Sequence, residues 1–387
     1  MNKNIKIIAI LISSIVIFVV SICAIKKIFI KQEIETVEVN VYSKVKLSEI
    51  INDKQKILAE DFYIDTSTLR ESKVTYSYYD KSDKVHDSII IKVVDKEKPY
   101  AMLGKSYTYV IGTKFDMENT VFCGDNVTKK PKRTIIGKYD LNEVGEYPLV
   151  FKVEDESGNT NEIEFTLNVI KEKTTSKSSY LSFEELNNRL PDNANLMIDV
   201  SKWQEDIDWK TVSDSGIKYA MLRLGTQKGV DLDSRIDAYF DKNIKEAQAN
   251  GIKVGVYYFT YANDTLDAKK QAKWVIDVLK DYSLDLPVAF DWECWDLFDD
   301  FNMNFYELNV IADTFLKELD KEGYDTLLYG SKNYIENVWT YLDYDIWLAH
   351  YTKETTYQGE KLMWQFTSSG RVPGIKGNVD VNFYYNK

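Results

Sequence analysis

Alternating hydrophobic and polar positions mark the chain from residue 36 to residue 170. Period-2 runs of apolar residues are typical of half-buried β-strands, and clusters of Gly, Asn, Asp and Ser between them indicate turns. One hairpin is predicted over residues 147–169, where two such runs meet at a Gly-Asn turn. A weak repeat of about 70 residues divides this part of the chain into two predicted β modules, 36–98 and 99–170.

The pattern changes beyond residue 194, where short apolar runs alternate with segments of helical periodicity. Helical periodicity covers 235–250, 266–282 and 305–322. The short runs are predicted to be strands at 196–200, 219–224, 253–259, 287–293, 326–329, 345–349, 361–366 and 380–384. This alternation favours a (β/α) barrel over residues 195–387. Because the last two connections are short and rich in glycine, we expect loops there and an irregular, TIM-like barrel.

An uncharged stretch rich in Ile and Val occupies positions 7–25. At 1.5 Å per residue, a helix of this length would span close to the roughly 30 Å hydrocarbon core of a membrane. We therefore predict a transmembrane signal anchor at 7–25, after a short flank at 1–6. A cleaved secretory signal and a buried core helix are the alternatives, although this run exceeds the usual signal length of about 7–15 apolar residues. Lysines on both sides leave its orientation undecided.

A polar segment without apolar residues, 171–179, follows the β modules and is predicted to belong to a linker over 171–194. Small antiparallel sandwiches of the size predicted for the two modules resemble bacterial immunoglobulin-like domains, which we expect to act as spacers. The predicted fold class is therefore multidomain. It combines an N-terminal transmembrane helix, all-β immunoglobulin-like sandwich modules, and a C-terminal α/β irregular TIM-like (β/α) barrel.

Composition narrows the chemistry that this chain can perform. Its 387 residues include 49 Lys and Arg against 61 Asp and Glu, a formal net charge of −12. The acidity lies in the C-terminal half: residues 1–179 carry 27 basic and 26 acidic side chains, and residues 180–387 carry 22 and 35. Nucleic-acid binders normally present a basic surface, so this class is excluded. With 2 His and 3 scattered Cys, a zinc site or a disulfide framework is excluded too, and we expect no metal and no cofactor.

Carboxylates are therefore the candidate catalytic groups, and four of them fall at strand ends of the predicted barrel. Asp199 ends the first strand, and Asp291 and Glu293 end the fourth at i and i+2, so that they share one face. Asp380 begins the eighth strand, which neighbours the first in a closed barrel. Barrel enzymes build their active sites at the carboxyl ends of the strands. When two carboxylates lie close together, the pKa of one of them rises, as a general acid requires. The structural alternative is that these acids cap helices or pair with Arg223.

Aromatic residues line the ends of successive strands beside these acids. Aromatic rings present a large, rigid apolar face, and rings beside carboxylates are typical of a sugar site. The candidate substrate-binding residues are Tyr257, Tyr329, Trp347, Trp364, Gln365 and Arg223.

Ordered sequence matches across residues 195–385 carry a family resemblance. The matching runs are IDVSKWQ at 198–204, IDW at 207–209, GVYYFTYA at 255–262, PVAFDWE at 287–293, WLA at 347–349, WQF at 364–366 and DVN at 380–382. In these runs the chain resembles the glycoside hydrolase family 25 muramidases, the Chalaropsis-type lysozymes. His350 departs from the family pattern, which more often has Gln at that place.

The resemblance implies hydrolysis of the β-1,4 bond between N-acetylmuramic acid and N-acetylglucosamine in peptidoglycan. It implies that Glu293 is the general acid and that Asp291 stabilises the developing positive charge or the attacking N-acetyl group. Asp199 and Asp380 would tune the site and hold the substrate. Whether hydrolysis retains or inverts configuration depends on the separation of the carboxyl groups, so that question and substrate assistance stay open.

Two other functions compete with a muramidase. A wall-binding or adhesive protein could use the barrel as a non-catalytic lectin, although all four acids are present. An amidase or a Cys-His peptidase is disfavoured, because the predicted barrel has one histidine and nothing orients a Cys294–His350 pair. We expect a muramidase at the cell membrane of a Gram-positive bacterium, with its C-terminal domains outside the cell. Its partners would be peptidoglycan glycan strands and, through the N-terminal helix, the membrane, in local cell-wall remodelling.

Overall fold

The computed structural model describes residues 34–51, 57–172, 179–227, 229–230 and 232–385. The chain forms two compact units, Met1–Lys96 and Glu97–Lys387, which we describe separately. Within the described ranges, no helix is both long enough and apolar enough to cross a membrane. The predicted transmembrane segment at 7–25 lies outside the described residues.

The first unit contains a small β-sheet. Its elements are β1 (Thr36–Asn40), α1 (Leu47–Ile50), β2 (Ile57–Leu58), β3 (Arg70–Asp80) and β4 (Asp83–Val94). The four strands lie in the order β1-β4-β3-β2, with β3 and β4 antiparallel and β1 parallel to β4. Ile89, Ile91 and Val93 are buried, because the period of 2 along β4 directs them to the same face.

The second unit begins with another β module. Its elements are β5 (Tyr100–Ala101), β6 (Ser106–Val110), α2 (Met117–Thr120), β7 (Cys123–Gly124), β8 (Lys132–Ile136), β9 (Gly145–Glu154) and β10 (Thr160–Ile170). Four strands form a sheet in the order β6-β10-β9-β8, and β5 pairs with β7 in a separate two-stranded sheet. Phe151, Val153 and Leu167 lie fully buried in the core of this module.

These sheets correct the predicted fold class of the β modules. An immunoglobulin-like sandwich packs two antiparallel sheets face to face. In the described residues, each module instead has one four-stranded sheet of mixed direction, because β1 and β6 each run parallel to the last strand of their module. The period-2 pattern identifies strands, but it does not determine which strands pair or in which direction.

The rest of the second unit is built around a closed barrel. Its strands are β11 (Ala194–Val200), β12 (Tyr219–Gln227), β13 (Ser234–Ile236), β14 (Lys253–Thr260), β15 (Val288–Trp292), β16 (Thr326–Ser331), β17 (Asp345–Ala349), β18 (Met363–Gly370) and β19 (Val379–Tyr385). β11 pairs with both β12 and β19, which closes a ring of eight strands. β13 pairs with β12 and lies outside the ring.

Short helices surround the ring. They are α3 (Phe183–Asn188), α4 (Trp209–Asp214), α5 (Phe240–Ala249), α6 (Thr265–Leu279), α7 (Phe298–Phe301), α8 (Phe305–Lys321) and α9 (Lys332–Asn337). Side-chain caps fix where the two longest begin: Asp264 accepts a hydrogen bond from the backbone of Asp267 at α6, and Asn304 and Glu307 form a capping box at α8.

The barrel has an inner and an outer apolar layer. Met197, Met221, Ala289, Leu327 and Met363 fill its interior. The outward residues of the same strands pack against the helices in a larger core. This alternation leaves the polar residues at the strand ends to form the rim of the barrel.

The barrel also corrects the predicted fold class. Each predicted barrel strand overlaps an observed one, but β19 runs antiparallel to both β18 and β11. A parallel crossover needs about a dozen residues or more, and the connection at 371–378 is shorter. Among the described residues, the fold is therefore two mixed β-sheet modules and an eight-stranded barrel of mixed direction, without a membrane-spanning helix.

Candidate active site

A cleft of about 310 Å³ opens at the end of the barrel where the parallel strands finish. Carboxylates, aromatic rings and amides line it: Asp199, Ser201, Trp203, Gln204, Arg223, Tyr257, Phe259, Asp291, Glu293, Tyr329, Trp347, Tyr351, Gln365 and Asp380. All four predicted catalytic acids meet there. Of the predicted substrate-binding residues, Trp364 is the one that does not line the cleft.

Asp199 and Asp380 face each other across the antiparallel pair of β11 and β19. Asp199 is buried, and its Oδ2 accepts hydrogen bonds from Gln365 Nε2 at 3.0 Å and Asn382 Nδ2 at 2.7 Å. Burial raises the pKa of Asp199 to about 6, although both amide donors oppose that rise. Burial and the nearby charges of Asp199 and Glu293 raise the pKa of Asp380 to about 8.

Asp291 lies within β15 and is more deeply buried than Glu293, which follows the strand. It is buried, and its Oδ1 has no hydrogen-bond partner among the described residues. Burial, followed by the charges of Glu293 and Asp199, holds its pKa well above the usual range, while the nearby Arg223 lowers it. Because the pKa of Asp380 is raised to about 8, the group of cleft acids holds a proton at neutral pH.

Glu293 follows β15 and lies on the same side of the chain as Ala289 and Asp291, as the period of 2 requires. Protein surrounds much of its carboxyl group, and this desolvation, with the charge of Asp199, raises its pKa. The residue is nevertheless exposed at the cleft mouth. Water therefore reaches the carboxyl group of Glu293 and can deliver its proton.

The side-chain amide of Gln365 connects three cleft residues. Its Oε1 accepts hydrogen bonds from Tyr329 Oη at 3.0 Å and Tyr351 Oη at 2.8 Å, and its Nε2 donates to Asp199. This network fixes the amide so that a donor points at the carboxylate. The hydrogen bond from Gln365 thus lowers the pKa of Asp199 and favours its ionised form.

Trp347 forms the aromatic floor of the cleft. Its Nε1 donates to Asn382 Oδ1 at 2.7 Å, and its ring packs edge to face against Tyr329 at 4.7 Å and Tyr257 at 5.8 Å. Because Asn382 also donates to Asp199, the same amide orients the ring and the acid.

Arg223 lines the cleft but pairs elsewhere. Its Nη2 donates to the buried Asp237 Oδ2 at 2.6 Å and its Nε donates to the same oxygen at 2.8 Å. The structural alternative of an Arg223 pair with Asp199 or Asp380 is therefore wrong. Its charge still acts on the cleft, since it lowers the pKa of Asp291.

Trp364 is a correction to the predicted substrate-binding set. Its ring packs outside the barrel against Phe366 and Phe383, and its Nε1 donates to the carbonyl oxygen of His350 at 2.9 Å. Adjacent residues of a strand face opposite sides, so Trp364 and Gln365 cannot both face the cleft. Cys294 is buried in the same outer core.

Several cleft residues escaped prediction. Trp203, Gln204 and Ser201 lie in a turn after β11, and Trp203 is 73% exposed at the rim. They belong to the matched run 198–204, which was a usable signal. Asn382 also belongs to a matched run, 380–382, but its hydrogen bond to Asp199 spans 183 positions. Tyr351 was missed because its role depends on the hydrogen bond that it donates to Gln365, 14 positions away.

The cleft continues past Glu293 into a second cavity of about 320 Å³, in which Lys332, Asn333 and His350 also take part. Burial, and then the charge of Lys332, lowers the pKa of His350, whose Nδ1 lies 2.9 Å from Thr355 Oγ1. Together the two cavities form a groove, and Glu293, Tyr329 and Tyr351 belong to the lining of both.

Comparison with known proteins decides the family. The model of glycosyl hydrolases family 25 matches residues 198–375. The chain is also 30% identical over 195 residues to the uncharacterized protein YegX from Escherichia coli, an alignment that covers 48% of this chain and 68% of the relative. The chain belongs to glycosyl hydrolases family 25. It is a glycoside hydrolase, and the family match contains Asp199, Asp291 and Glu293 but ends before Asp380.

Solved structures of similar proteins include the modular autolysin LytC from Streptococcus pneumoniae, in complex with a synthetic peptidoglycan ligand. It has 26% identity and a TM-score of 0.44, covering 61% of this chain and 56% of that one. This chain thus spans little more than half of the autolysin. A family 25 glycosyl hydrolase from Bacillus anthracis has 23% identity and a TM-score of 0.46, covering 55% of this chain and 96% of that one. At such TM-scores, neither likeness supports a conclusion about this family 25 chain.

Proposed function

We propose that the chain is an N-acetylmuramidase that hydrolyses the β-1,4 bond between N-acetylmuramic acid and N-acetylglucosamine in peptidoglycan. The observation that carries the proposal is the pair Asp291 and Glu293, held on one face of β15 inside an aromatic-lined groove. Glycosidases of most families place two carboxyl groups beside the scissile bond. Family 25 membership supports the substrate class.

In the proposed reaction, Glu293 is protonated when the glycan binds. The glycosidic C–O bond breaks, its electron pair goes to the leaving oxygen, and that oxygen takes the proton of Glu293. Asp291 is then the carboxylate closest to the positive charge that develops on the sugar ring, and this charge favours its ionised form. The oxygen of a water molecule then bonds to the sugar carbon that lost the leaving oxygen, and the proton that this water releases returns to the acids of the cleft.

Asp199 and Asp380 support this pair from the opposite side of the cleft. The charge of Asp199 raises the pKa of both Asp291 and Glu293, whereas the pKa of Asp380 is itself raised by the charges of Asp199 and Glu293. We assign to Asp199 and Asp380 the roles of tuning the protonation of the catalytic pair and of hydrogen-bonding the sugar. The rings of Tyr257 and Trp347 would contact its apolar face.

Replacement of Glu293 by Gln tests the proposal. General acid catalysis contributes roughly 100- to 10,000-fold, so Glu293→Gln should lower the release of reducing ends from purified peptidoglycan by at least about 100-fold. The matched control is Glu184→Gln, the same change at an exposed position of α3, which should keep full activity. Full activity in Glu293→Gln would overturn the assigned mechanism.

Binding to the wall separates the enzyme from the non-catalytic lectin. Glu293→Gln should still sediment with purified cell walls, because the aromatic floor is unchanged. A wild-type protein that binds walls and releases no reducing ends would favour the lectin.

We propose that the enzyme works outside the cell, where it opens the wall locally during remodelling. The location of peptidoglycan supports this assignment. Protease added to intact cells should degrade the catalytic unit, and its complete protection would contradict the proposal.

A further inference from the structure

The β module at the start of the second unit packs directly on the segment that follows Glu293. One aromatic ring of the module, Phe122, lies among four rings of the barrel. The centroid distances from Phe122 are 5.3 Å to Trp295, 5.4 Å to Tyr334, 5.5 Å to Phe298 and 6.0 Å to Phe305. We call these five residues the aromatic interface.

Two hydrogen bonds, one from a backbone N–H and one from a side-chain amide, join the module to the start of α8. The Phe305 backbone N–H donates to the carbonyl oxygen of Asp125 at 2.7 Å, and Asn304 Nδ2 donates to that of Val127 at 2.9 Å. Gly124 lies so close to the Phe305 ring that a Cβ atom there would collide with it. The module thus completes the capping of α8, whose first N–H groups lack partners within the helix.

Two ion pairs flank the aromatic interface. Arg133 of the module pairs with Asp299 at 2.8 Å, and Lys129 pairs with Glu307 at 2.9 Å. The Arg133 side chain is 12% exposed, so this pair lies in the interface rather than on its solvent-facing edge. All the barrel partners named so far, apart from Tyr334, lie between residues 295 and 307.

The aromatic interface reaches the catalytic acid through Trp295. Trp295 follows Glu293 by two residues, and its ring stacks face to face on Tyr334 with centroids 3.5 Å apart and planes at 9°. The same ring lies edge to face at 4.7 Å from Trp292, the residue before Glu293. Rings on both sides of Glu293 along the chain are therefore packed together, and Phe122 closes the far side of that packing.

We propose that Phe122 is a positioning residue for Glu293, so that the β module is a structural part of the catalytic site rather than a spacer. The inference rests on the proposed function. Glu293 lies in the irregular segment between β15 and the 3₁₀ turn Trp295–Leu297, and among the described residues no strand pairs with it. The module supplies the apolar surface that holds this segment in place. A misplacement of about 1 Å can lower a rate by about 100-fold.

Truncation of Phe122 in the full chain tests the inference. Phe122→Ala should lower kcat on soluble peptidoglycan fragments by about tenfold or more, while KM changes less than about twofold, because the sugar-binding rings stay in place. Phe122→Leu keeps apolar bulk but not the ring at the same place, so it should recover part of the lost kcat and remain below wild type. A purely structural contribution would lower the amount of folded enzyme without changing kcat per folded molecule.

Phe115→Ala is the matched control. Phe115 belongs to the same module, and its ring contacts Tyr107, Tyr109 and Tyr139, all within the module. Its truncation should lower thermal stability and leave kcat unchanged. Folded protein in each sample is quantified by circular dichroism, and kcat is expressed per folded molecule.

Each outcome decides between the claims. If wild type is active and Phe122→Ala keeps its kcat, the positioning role is wrong and the muramidase assignment stands. If Phe115→Ala loses kcat as severely as Phe122→Ala, the effect comes from general destabilisation, and the positioning role is again wrong. If Phe122→Ala fails to fold, the kcat of Phe122→Leu tests the positioning role. A partial loss of kcat in Phe122→Leu would support that role, and a kcat equal to wild type would overturn it. An inactive wild type would refute the proposed function instead.

Discussion

Protonation of the cleft acids depends first on how far each one is buried and then on its neighbours. Asp199 receives two amide donors, and its pKa rises only to about 6, whereas Asp380 lacks such donors among the described residues and its pKa rises to about 8. Asp291, buried and next to two other acids, has a pKa well above the usual range. The cleft thus keeps a proton available for an acid while one carboxylate stays ionised.

Replacement of Asp380 by Asn should remove a pH-dependent loss of stability. Folding raises the pKa of Asp380 from 3.8 to about 8. The contribution of Asp380 to the stability of the folded protein is therefore fully present below about pH 4, and it is lost as the pH rises towards 8. Asp380→Asn should therefore have a Tm close to wild type at pH 4 and a higher Tm at pH 8. Thermal unfolding at both pH values measures the difference. Asp192→Asn, at an exposed position, is the control, and an equal Tm difference at both pH values would contradict the explanation.

Truncation of Trp203 should weaken substrate binding without affecting the chemistry. The Trp203 ring is 73% exposed at the cleft rim, with Lys202 Nζ 4.9 Å from its centroid, so the fold depends little on it. An aromatic contact contributes about 0.5–1.5 kcal/mol, so Trp203→Ala should raise KM roughly two- to thirteenfold at constant kcat. Tyr180→Ala, at another exposed aromatic residue away from the cleft, should leave both constants unchanged. A loss of kcat in Trp203→Ala would rule out a purely binding role.

At the scale of elements, strand periodicity explains both the correct and the wrong parts of the predicted site. Along β15 the period of 2 correctly assigns Asp291 to the cleft and Trp292 to the outer core. Along β18, Gln365 faces the cleft, so the same rule directs its neighbour Trp364 to the outer side of the barrel. The prediction that both residues bind substrate therefore contradicted the period of 2.

Other features of the elements lie beyond local sequence patterns. The order of the barrel strands follows from their spacing, but the reversed direction of β19 depends on a short connection. The hydrogen bonds from Asn382 and Gln365 to Asp199 span 183 and 166 positions. Periodicity within one strand carries no information about such distant contacts.

A close contact between strands predicts that β14 tolerates no side chain at position 255. A Cβ at Gly255 would lie 2.6 Å from Met221 Sδ and 2.7 Å from the backbone oxygen of Pro287. Because the backbone oxygen cannot move aside, Gly255→Ala should lower the free energy of unfolding by about 1–3 kcal/mol. Gly104→Ala, where a Cβ meets open space, is the control. Urea denaturation measures both, and equal stability of the two variants would show that the strands can separate.

At the scale of the whole molecule, the acidic C-terminal half and the neighbouring β module form one compact unit, Glu97–Lys387. The predicted linker between them does not make the two independent, because the aromatic interface joins them. That contact was not predictable, since Phe122 and its barrel partners lie in separate predicted domains.

Removal of the β module should therefore destabilise the barrel. A fragment of residues 180–387 exposes Trp295, Phe298, Phe305 and Tyr334, and it should have a Tm roughly 5 °C or more below that of residues 97–387. Differential scanning calorimetry of the two fragments gives the comparison. Equal Tm values would mean that the module contributes no stability to the barrel.

The most direct test of the central claim is the chemical identity of the ends that the full chain creates in peptidoglycan. Purified peptidoglycan is digested, the new reducing ends are reduced with borohydride, and the fragments are analysed by mass spectrometry. The proposed muramidase predicts reduced N-acetylmuramic acid at the new ends, with none in the Glu293→Gln digest. Reduced N-acetylglucosamine at those ends, or fragments released with no new reducing end, would contradict it.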